Sequence, residues 1–252
     1  MTISISRPEE FIGLIEIDNL ARRNALGLAD FLGLADAWRE LGADTSIRCI
    51  VVTGAGDHAF CSGADLGADF SSVEDVDALV DAALLKTRLF PKPVIAAING
   101  HCVAGGFELM LSADLRVVSV SAKLGLPEVR WGIIPSGGGA MKLIEQIGHA
   151  RAMQLMLTAE LISAGEALDM GLVNRVEPAE RVLDAALGLA RLIASNSPRA
   201  VQSTKLSALS LRASQWQSRE PAEREMAQTM RTTEDCKEGR RAFFEKRAPG
   251  YV

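Results

Sequence analysis

Residues 93–118 have the sequence PVIAAINGHCVAGGFELMLSADLRVV, and this stretch indicates how the chain is built. The apolar runs PVIAAI and LRVV are each typical of a buried strand. Between them, Gly105 and Gly106 precede a short helical segment that carries Glu108 in its first turn. Strand, glycine turn, helix and strand in this order predict an α/β fold. A glutamate this close to buried backbone is costly unless it is paired or used in chemistry.

Upstream of this stretch, strands and helices continue to alternate. Periodic apolar residues predict strands at residues 11–18 and 49–54 and helices at 28–41 and 71–90. The second helix opens with SSVE, which has the spacing of an N-terminal capping box. The segment GDHAFCSGADLGADF (56–70), which precedes this helix, is interpreted as an irregular glycine-rich loop.

The composition of the chain changes beyond about residue 137. From there the sequence is rich in Ala, Leu, Glu and Arg and has helical periodicity. Only LVNRV (172–176) interrupts it as a predicted strand. The chain is therefore expected to have a strand–helix core followed by a helical part, and no internal repeat is evident.

The composition disfavours several classes of function. The formal net charge is −5 and the basic residues are scattered, so nucleic-acid binding is not expected. No apolar run approaches the roughly 20 residues of a membrane span, and the N-terminus does not resemble a signal peptide. We therefore expect a cytoplasmic protein without membrane attachment. The four cysteines and three histidines lack ligand spacing, so no metal site and no disulfide framework are predicted.

Two loops of small residues could bring backbone N–H groups together, because each follows a predicted strand. One contains Gly63 and Ala64, and the other contains Ala104 and Gly105. Two N–H groups that converge on one oxygen form an oxyanion hole, where losing one donor typically costs about 3 kcal/mol of barrier. Taken alone, each loop is better explained as a tight turn.

Glu108 and Glu128 are the candidate acid–base residues. Glu128 lies in the irregular apolar stretch LGLPEVRWGIIPSGGG, where poor solvation should raise its pKa toward neutrality, as a general acid requires. Each has a structural alternative: Glu108 as a favourable charge at a helix N-terminus, and Glu128 as the partner of Arg116 or Arg130. Two such carboxylates beside a possible oxyanion hole indicate acid–base chemistry on a carbonyl compound.

Other motifs carry weaker signals. VVTGAGDHA fits the glycine spacing of a dinucleotide-binding turn, but no helix follows it, so NAD binding is disfavoured. As nucleophiles, Ser62 lacks the elbow motif and Cys61 lacks an identifiable base. The glycine run PSGGG (135–139) could bind an anion ahead of a helix, although it lacks the P-loop lysine.

Several stretches together resemble the enoyl-CoA hydratase/isomerase, or crotonase, family. They are AFCSGADL, the opening stretch, LGLPEVRWGIIPSGGGAMKL and ISAGEALDMGLVNRV, with RRNAL near the start and FFEKRAP at the end. The resemblance extends from about residue 11 to 250 and implies a spiral of ββα turns. It divides the chain into a spiral core at 1–195 and a helical cap and oligomerisation region at 196–252. It also implies a homotrimer or a dimer of trimers.

The same resemblance implies an acyl-CoA thioester as substrate and no additional cofactor. By motif position, Ala64 and Gly105 would supply the oxyanion N–H groups for the thioester enolate. Glu108 and Glu128 would hold one water, Glu108 activating it for attack on the β-carbon and Glu128 delivering a proton to the α-carbon. These roles imply hydration of a 2-enoyl-CoA. The implied substrate and CoA contacts are Arg22, Ala25, Ala64, Asp65, Leu66, Ser136, Phe243 and Lys246, the lysine in some relatives coming from a neighbouring subunit.

The sequence also departs from the family pattern. Gly67 stands where many members have a lysine near the CoA adenine or phosphates, and Leu20 where they have proline. Ser136 stands where a glycine beside the catalytic water is common. The alternatives are therefore another enolate reaction, namely double-bond isomerisation, thioester hydrolysis or C–C cleavage, or a non-catalytic RNA-binding relative. The acyl pocket is expected between the helix at 73–90 and the C-terminal helices.

Overall fold

A computed structural model describes residues 2–251, which fold around two β-sheets. The strands are β1 (Ile3–Glu9), β2 (Ile12–Ile17), β3 (Cys49–Gly54), β4 (Ala59–Cys61), β5 (Val94–Ile98), β6 (His101–Val103), β7 (Leu115–Ser119), β8 (Lys123–Gly125), β9 (Ile162–Ser163) and β10 (Arg175–Glu177). The helices are α1 (Leu28–Ala43), α2 (Val76–Leu84), α3 (Gly105–Ser112), α4 (Gly139–Ile147), α5 (His149–Thr158), α6 (Ala164–Asp169), α7 (Val182–Ala194), α8 (Pro198–Arg231) and α9 (Glu234–Glu245).

The strands alternate between a larger and a smaller sheet. The larger sheet has the order β1-β2-β3-β5-β7-β10, and the smaller has the order β4-β6-β8-β9. Three successive turns of chain, β3-β4, β5-β6 and β7-β8, each add one strand to each sheet, and α2, α3 and α4 follow these pairs. The ββα spiral expected from the sequence is confirmed. No repeat was evident in the sequence because the second strand of each pair spans only three residues.

Both faces of the larger sheet are buried, which explains the continuous apolar runs of its inner strands. On one face, Val51 and Ile95 pack with Val182, Ala186 and other residues of α7. The alternate residues of the same strands belong to the main core, which also contains apolar residues of α1, α3 and α4. The period of two along each strand therefore sends its side chains into two separate apolar layers.

The register of the smaller sheet brings the two glycine-containing loops together. β4 and β6 are parallel, with Cys61 opposite Cys102. Ala64 and Gly105 each lie three residues beyond these partners, at the same edge of the sheet. Gly63 has a φ of 87°, and a Cβ on it would lie 2.9 Å from the Gly105 nitrogen. Only glycine allows this backbone conformation and this close approach without strain.

The C-terminal helices cover the spiral next to these loops. α8 reaches α2 through ion pairs from Arg224 to Asp75 and from Arg231 to Asp77. α9 packs on a 3₁₀ turn at Glu128–Trp131, where the rings of Trp131 and Phe243 lie edge to face with centroids 5.2 Å apart. The predicted division of the chain near residue 195 stays a prediction.

The predicted start of the second helix was wrong. α2 begins at Val76 and not at Ser71, and it ends at Leu84 and not at residue 90. Its N-cap is Asp75, which accepts a 2.9 Å hydrogen bond from the N–H of Ala78. Asp75 also pairs with Arg224. The Asp75 carboxylate both caps α2 and pairs with Arg224 of α8. These two contacts together stabilise a helix start at Val76 more than the capping box at Ser71 would stabilise an earlier one.

Other strand predictions need correction at the edges. The segment 56–70 is not wholly irregular, because it contains β4, and the strand predicted at 172–176 is shifted to β10. β1, β6, β8 and the two-residue β9 were not predicted. β6 and β8 are too short for periodicity to reveal, and β1 alternates exposed positions with half-buried ones.

We expect Gly239→Ala to destabilise the protein by about 1–3 kcal/mol, through overpacking. A Cβ on Gly239 of α9 would lie 2.1 Å from the backbone oxygen of Trp131, so one of the two segments must move. Gly188→Ala is the matched control. Gly188 also lies within a helix, and the atom nearest to its added Cβ is 4.0 Å away.

Urea unfolding of both variants tests this packing. Because alanine has a higher helix propensity than glycine, Gly188→Ala should raise the free energy of unfolding by about 0.5–1 kcal/mol. Equal effects of the two substitutions would show that α9 does not dock against the 3₁₀ turn.

Candidate active site

A cavity of about 940 Å³ opens beside the paired loops. α2, α3, the 3₁₀ turn, α8 and α9 all contribute to its wall, so the expected position of an acyl pocket next to α2 and the C-terminal helices agrees with the structure. Its wall is largely apolar. The charged side chains that line it are Arg22, Arg23, Asp65, Glu108, Glu128 and Arg231.

Two backbone N–H groups at the cavity wall lack a protein acceptor within residues 2–251. Ala64 bridges Leu26, whose N–H donates to the Gly63 carbonyl and whose carbonyl accepts from the N–H of Asp65. In such a parallel bridge the N–H of Ala64 itself points to the opposite side. Gly105 is the first residue of α3, so its N–H has no intrahelical acceptor. A Cβ on Gly105 would lie 3.6 Å from the Ala64 nitrogen, which places the two N–H groups close together.

The turn before α3 is held in a strained conformation. Ala104 has φ 52° and ψ −130°, which an L-residue adopts at a cost of order 1–3 kcal/mol. Its N–H donates to the Gly125 carbonyl at 3.0 Å, and its carbonyl accepts from the N–H of Glu108, also at 3.0 Å. These bonds fix the peptide that presents the N–H of Gly105 to the cavity.

The carboxylate of Glu108 is held by backbone donors. Oε1 accepts hydrogen bonds from the N–H groups of Gly137 at 2.7 Å and Gly139 at 2.9 Å, and the residue is only 4% exposed. Burial raises the pKa of Glu108 to about 7, and the two hydrogen bonds oppose this rise. The glycine run at 135–139, which by its sequence could bind an anion or equally be a packed helix start, does both: it leads into α4 and binds an internal anion, the Glu108 carboxylate.

The carboxyl group of Glu128 accepts fewer hydrogen bonds than that of Glu108. It begins the 3₁₀ turn, is 5% exposed, and its Oε2 is buried without a hydrogen-bond partner. Burial raises the pKa of Glu128 well above its usual range, and repulsion by Glu108 adds to this rise. The alternative partners are occupied elsewhere: Arg130 donates to the Ala159 carbonyl, and Arg116 donates to four backbone carbonyls.

The structure brings most of the remaining predicted contacts to the cavity. Of the predicted substrate and CoA contacts, those that line the cavity are Arg22, Ala25, Ala64, Asp65, Leu66, Ser136 and Phe243. Arg22 and Asp65 form an ion pair. Lys246 is exposed and lies outside the lining, just beyond α9. Gly67 lies beside Phe244 and Arg22, since a Cβ on it would be 3.6 Å and 3.7 Å from their side chains.

Arg231 was missed by the sequence analysis. It lines the cavity from α8 while its guanidinium donates to Asp77 at 2.9 Å. No local pattern could have indicated it, because the cavity wall depends on how α8 packs over α2. Within residues 2–251, no three His, Cys, Asp or Glu side chains group as metal ligands, and no helix is both long and apolar enough to cross a membrane.

Comparisons with known proteins agree with this arrangement. The family model described as enoyl-CoA hydratase/isomerase matches residues 7–252. The enoyl-CoA hydratase EchA19 of Mycobacterium tuberculosis is 37% identical over 94% of this chain and 92% of its own. The crotonyl-CoA hydratase of Syntrophomonas wolfei is 33% identical over 98% and 97%. The solved structure of a carnitinyl-CoA dehydratase from Mycobacterium avium has a TM-score of 0.90 at 38% identity, over 99% and 98%.

The spiral and its cavity are thus those of a crotonase-fold enzyme. The chain belongs to the enoyl-CoA hydratase/isomerase family.

We expect Glu128→Gln to become more stable relative to the unsubstituted protein as the pH rises from 5 to 8. The folded state keeps the Glu128 proton to a higher pH than the unfolded chain does, so ionisation above the usual pKa of 4.5 costs folding free energy. Glutamine cannot ionise and lacks this loss. The difference should exceed about 1 kcal/mol at pH 8, the equivalent of one pKa unit.

Urea unfolding at both pH values measures the difference. Glu225→Gln on the exposed side of α8 is the control and should show no such pH dependence. A parallel pH response of the two variants would contradict a buried, poorly supported Glu128 carboxyl.

Proposed function

We propose that the protein adds water across the double bond of a 2-enoyl-CoA. One observation carries this proposal: two buried carboxyl groups of unequal support share a cavity with two backbone N–H groups that lack a protein acceptor. The relatives named as hydratases support the same reaction class.

In the proposed reaction the thioester oxygen accepts hydrogen bonds from Ala64 and Gly105. Negative charge that develops on this oxygen as the enolate forms is stabilised by these fixed donors. Because the N–H of Gly105 also belongs to the first turn of α3, the positive end of the helix adds to this stabilisation. The thioester and the two donors activate the substrate, so the proposed reaction uses no further cofactor.

The two carboxyl groups take different roles because their surroundings differ. Glu108 accepts two backbone hydrogen bonds that favour its ionised form, so it is the better base for activating water. Glu128 Oε2 has no such donor, and Glu128 keeps its proton more readily, so it is the better acid toward the α-carbon. The pair therefore holds one proton in the working state, with Glu108 ionised and Glu128 protonated.

The substrate end that carries phosphate is proposed to lie near Arg22 and Arg23, which line the same cavity. Phe243 and Phe244 of α9 line this part of the proposed CoA site, with ring centroids 5.6 Å apart. Lys246 lies outside this cavity, so its proposed contact is with CoA bound to another copy of the chain in a trimer.

Purified protein mixed with crotonyl-CoA should remove the ultraviolet absorbance of the conjugated thioester. Glu108→Gln and Glu128→Gln should each lower kcat by at least about 100-fold, the low end of what acid–base catalysis contributes. Glu225→Gln should keep full activity and serves as the control. If Glu108→Gln retained activity, a one-acid reaction such as double-bond isomerisation would replace hydration as the proposal.

The pH profile of kcat/KM should be bell-shaped. Activity should fall as Glu108 gains a proton, with an acid limb near pH 7, and should fall again at higher pH as Glu128 loses its proton. The two limbs report the pair as a unit, because the groups repel each other. Residual activity of Glu128→Gln should lose the alkaline limb. A flat profile between pH 5 and 9 would contradict these roles.

A further inference from the structure

Lys142 is a fully buried lysine on α4 that the proposed reaction does not use. It is 2% exposed, and its Nζ donates to the Leu85 carbonyl at 2.8 Å and to Ser112 Oγ at 2.6 Å. Among residues 2–251, no carboxylate lies within 4.0 Å of its Nζ. Burying an ammonium group is costly, and an apolar side chain of similar volume would fill the space at less cost.

The groups that Lys142 binds lie next to residues of the cavity wall. Ser112 Oγ lies 2.6 Å from the Leu84 carbonyl and 3.1 Å from the Glu108 carbonyl. Leu84 lines the cavity at the end of α2, and Leu85 follows in a left-handed conformation with φ 52°. The ammonium group thus joins the end of α2 to α3, and both elements carry residues of the cavity wall.

α3 and α4 are joined at two levels. At the first, the N–H of Gly139 donates to the Glu108 carboxylate. At the second, one helical turn further along both helices, Lys142 donates to Ser112. The contact between Lys142 and Ser112 holds α3 and α4 at the spacing that the hydrogen bond from Gly139 to Glu108 requires. Replacing Lys142 should therefore disturb the Glu108 carboxylate, although the two side chains are not in direct contact.

We propose that Lys142 is a positioning residue for Glu108: it locks α2, α3 and α4 around the carboxylate, and its charge favours the ionised form of Glu108. This inference rests on the proposed hydration. Burial lowers the pKa of Lys142 to about 7, and attraction to Glu108 opposes this effect. Lys142 and Glu108 therefore change charge in the same pH range: Lys142 is charged on its acid side and loses the charge as the pH rises through about 7.

Other charged groups also face this pair. Around Glu108 they are Glu128 on the 3₁₀ turn, Lys86 beyond α2 and Glu223 on α8. Around Lys142 they are Asp81 on α2, Arg116 on β7 and Lys205 on α8. Lys86 is paired with Glu223 at 2.9 Å and Lys205 with Asp114 at 2.7 Å, so their charges are already compensated. The aromatic ring of Trp216 lies 5.0 Å from the Lys142 Nζ.

Lys92 offers a matched control. It is also buried, 5% exposed, and its Nζ donates to the Leu41 and Asp44 carbonyls. It does not line the cavity. Lys92→Met and Lys142→Met therefore remove the same charge and the same kind of contact, but only the second change lies behind Glu108.

The test compares Lys142→Met, Lys142→Arg, Ser112→Ala and Lys92→Met. Lys142→Met should lower kcat about tenfold with KM changed less than about threefold, and its acid limb should move upward by about half a pH unit or more, because a neighbouring positive charge favours an ionised carboxylate. Lys142→Arg keeps the charge and should keep the acid limb. Ser112→Ala should lower kcat without moving the limb, and Lys92→Met should change neither.

Carbon-13 NMR of protein labelled at its glutamate carboxyl groups follows the Glu108 titration without turnover. The resonance of Glu108 is identified as the one that is missing from Glu108→Gln. An upward shift of that titration in Lys142→Met, and not in Lys92→Met, is the expected result. If Lys142→Met loses only thermal stability while the Glu108 titration stays in place, the inference is wrong. If the unsubstituted protein does not hydrate enoyl-CoA, the proposed function fails, and the NMR titration still decides the role of Lys142.

Discussion

The structure depends on one costly interaction: a glutamate carboxylate buried against the start of a helix. Glu108 is placed there by α3, and its charge is met by the N–H groups of Gly137 and Gly139. These donors oppose the penalty of burial but do not remove it, so the pKa of Glu108 stays raised. A carboxylate with this balance changes its protonation near neutral pH at little cost, which is what a base in proton transfer requires.

The spiral provides the other half of the site. Parallel pairing of β4 with β6 aligns two loops that are distant in sequence, so the N–H groups of Ala64 and Gly105 lie side by side. The same turn that frees the N–H of Gly105 starts the helix that carries Glu108. The proposed oxyanion donor, Gly105, and the proposed base, Glu108, are therefore held three residues apart on one backbone, and the strained turn at Ala104 is held by hydrogen bonds on both sides.

Much of this could be predicted from the sequence, because the relevant signals are local. Buried strands such as β3 and β5 are continuous apolar runs, and the motifs around Ala64, Gly105, Glu108 and Glu128 place those residues on short, recognisable segments. The three-residue strands β4, β6 and β8 could not be predicted, since pairing and not pattern defines them. The start of α2 and the position of Arg231 at the cavity depend on how α8 packs. Tertiary contacts of this kind produce no pattern in the local sequence. The oligomeric state and the compartment stay predictions.

The most direct test is proton NMR of crotonyl-CoA turned over in D₂O. Hydration by the two-carboxyl site predicts 3-hydroxybutyryl-CoA with one deuterium on the α-carbon, and with Glu128→Gln this product should form at least about 100-fold more slowly. A shifted double bond without a hydroxyl group, or release of free coenzyme A, would contradict the account and assign the same cavity to a different reaction.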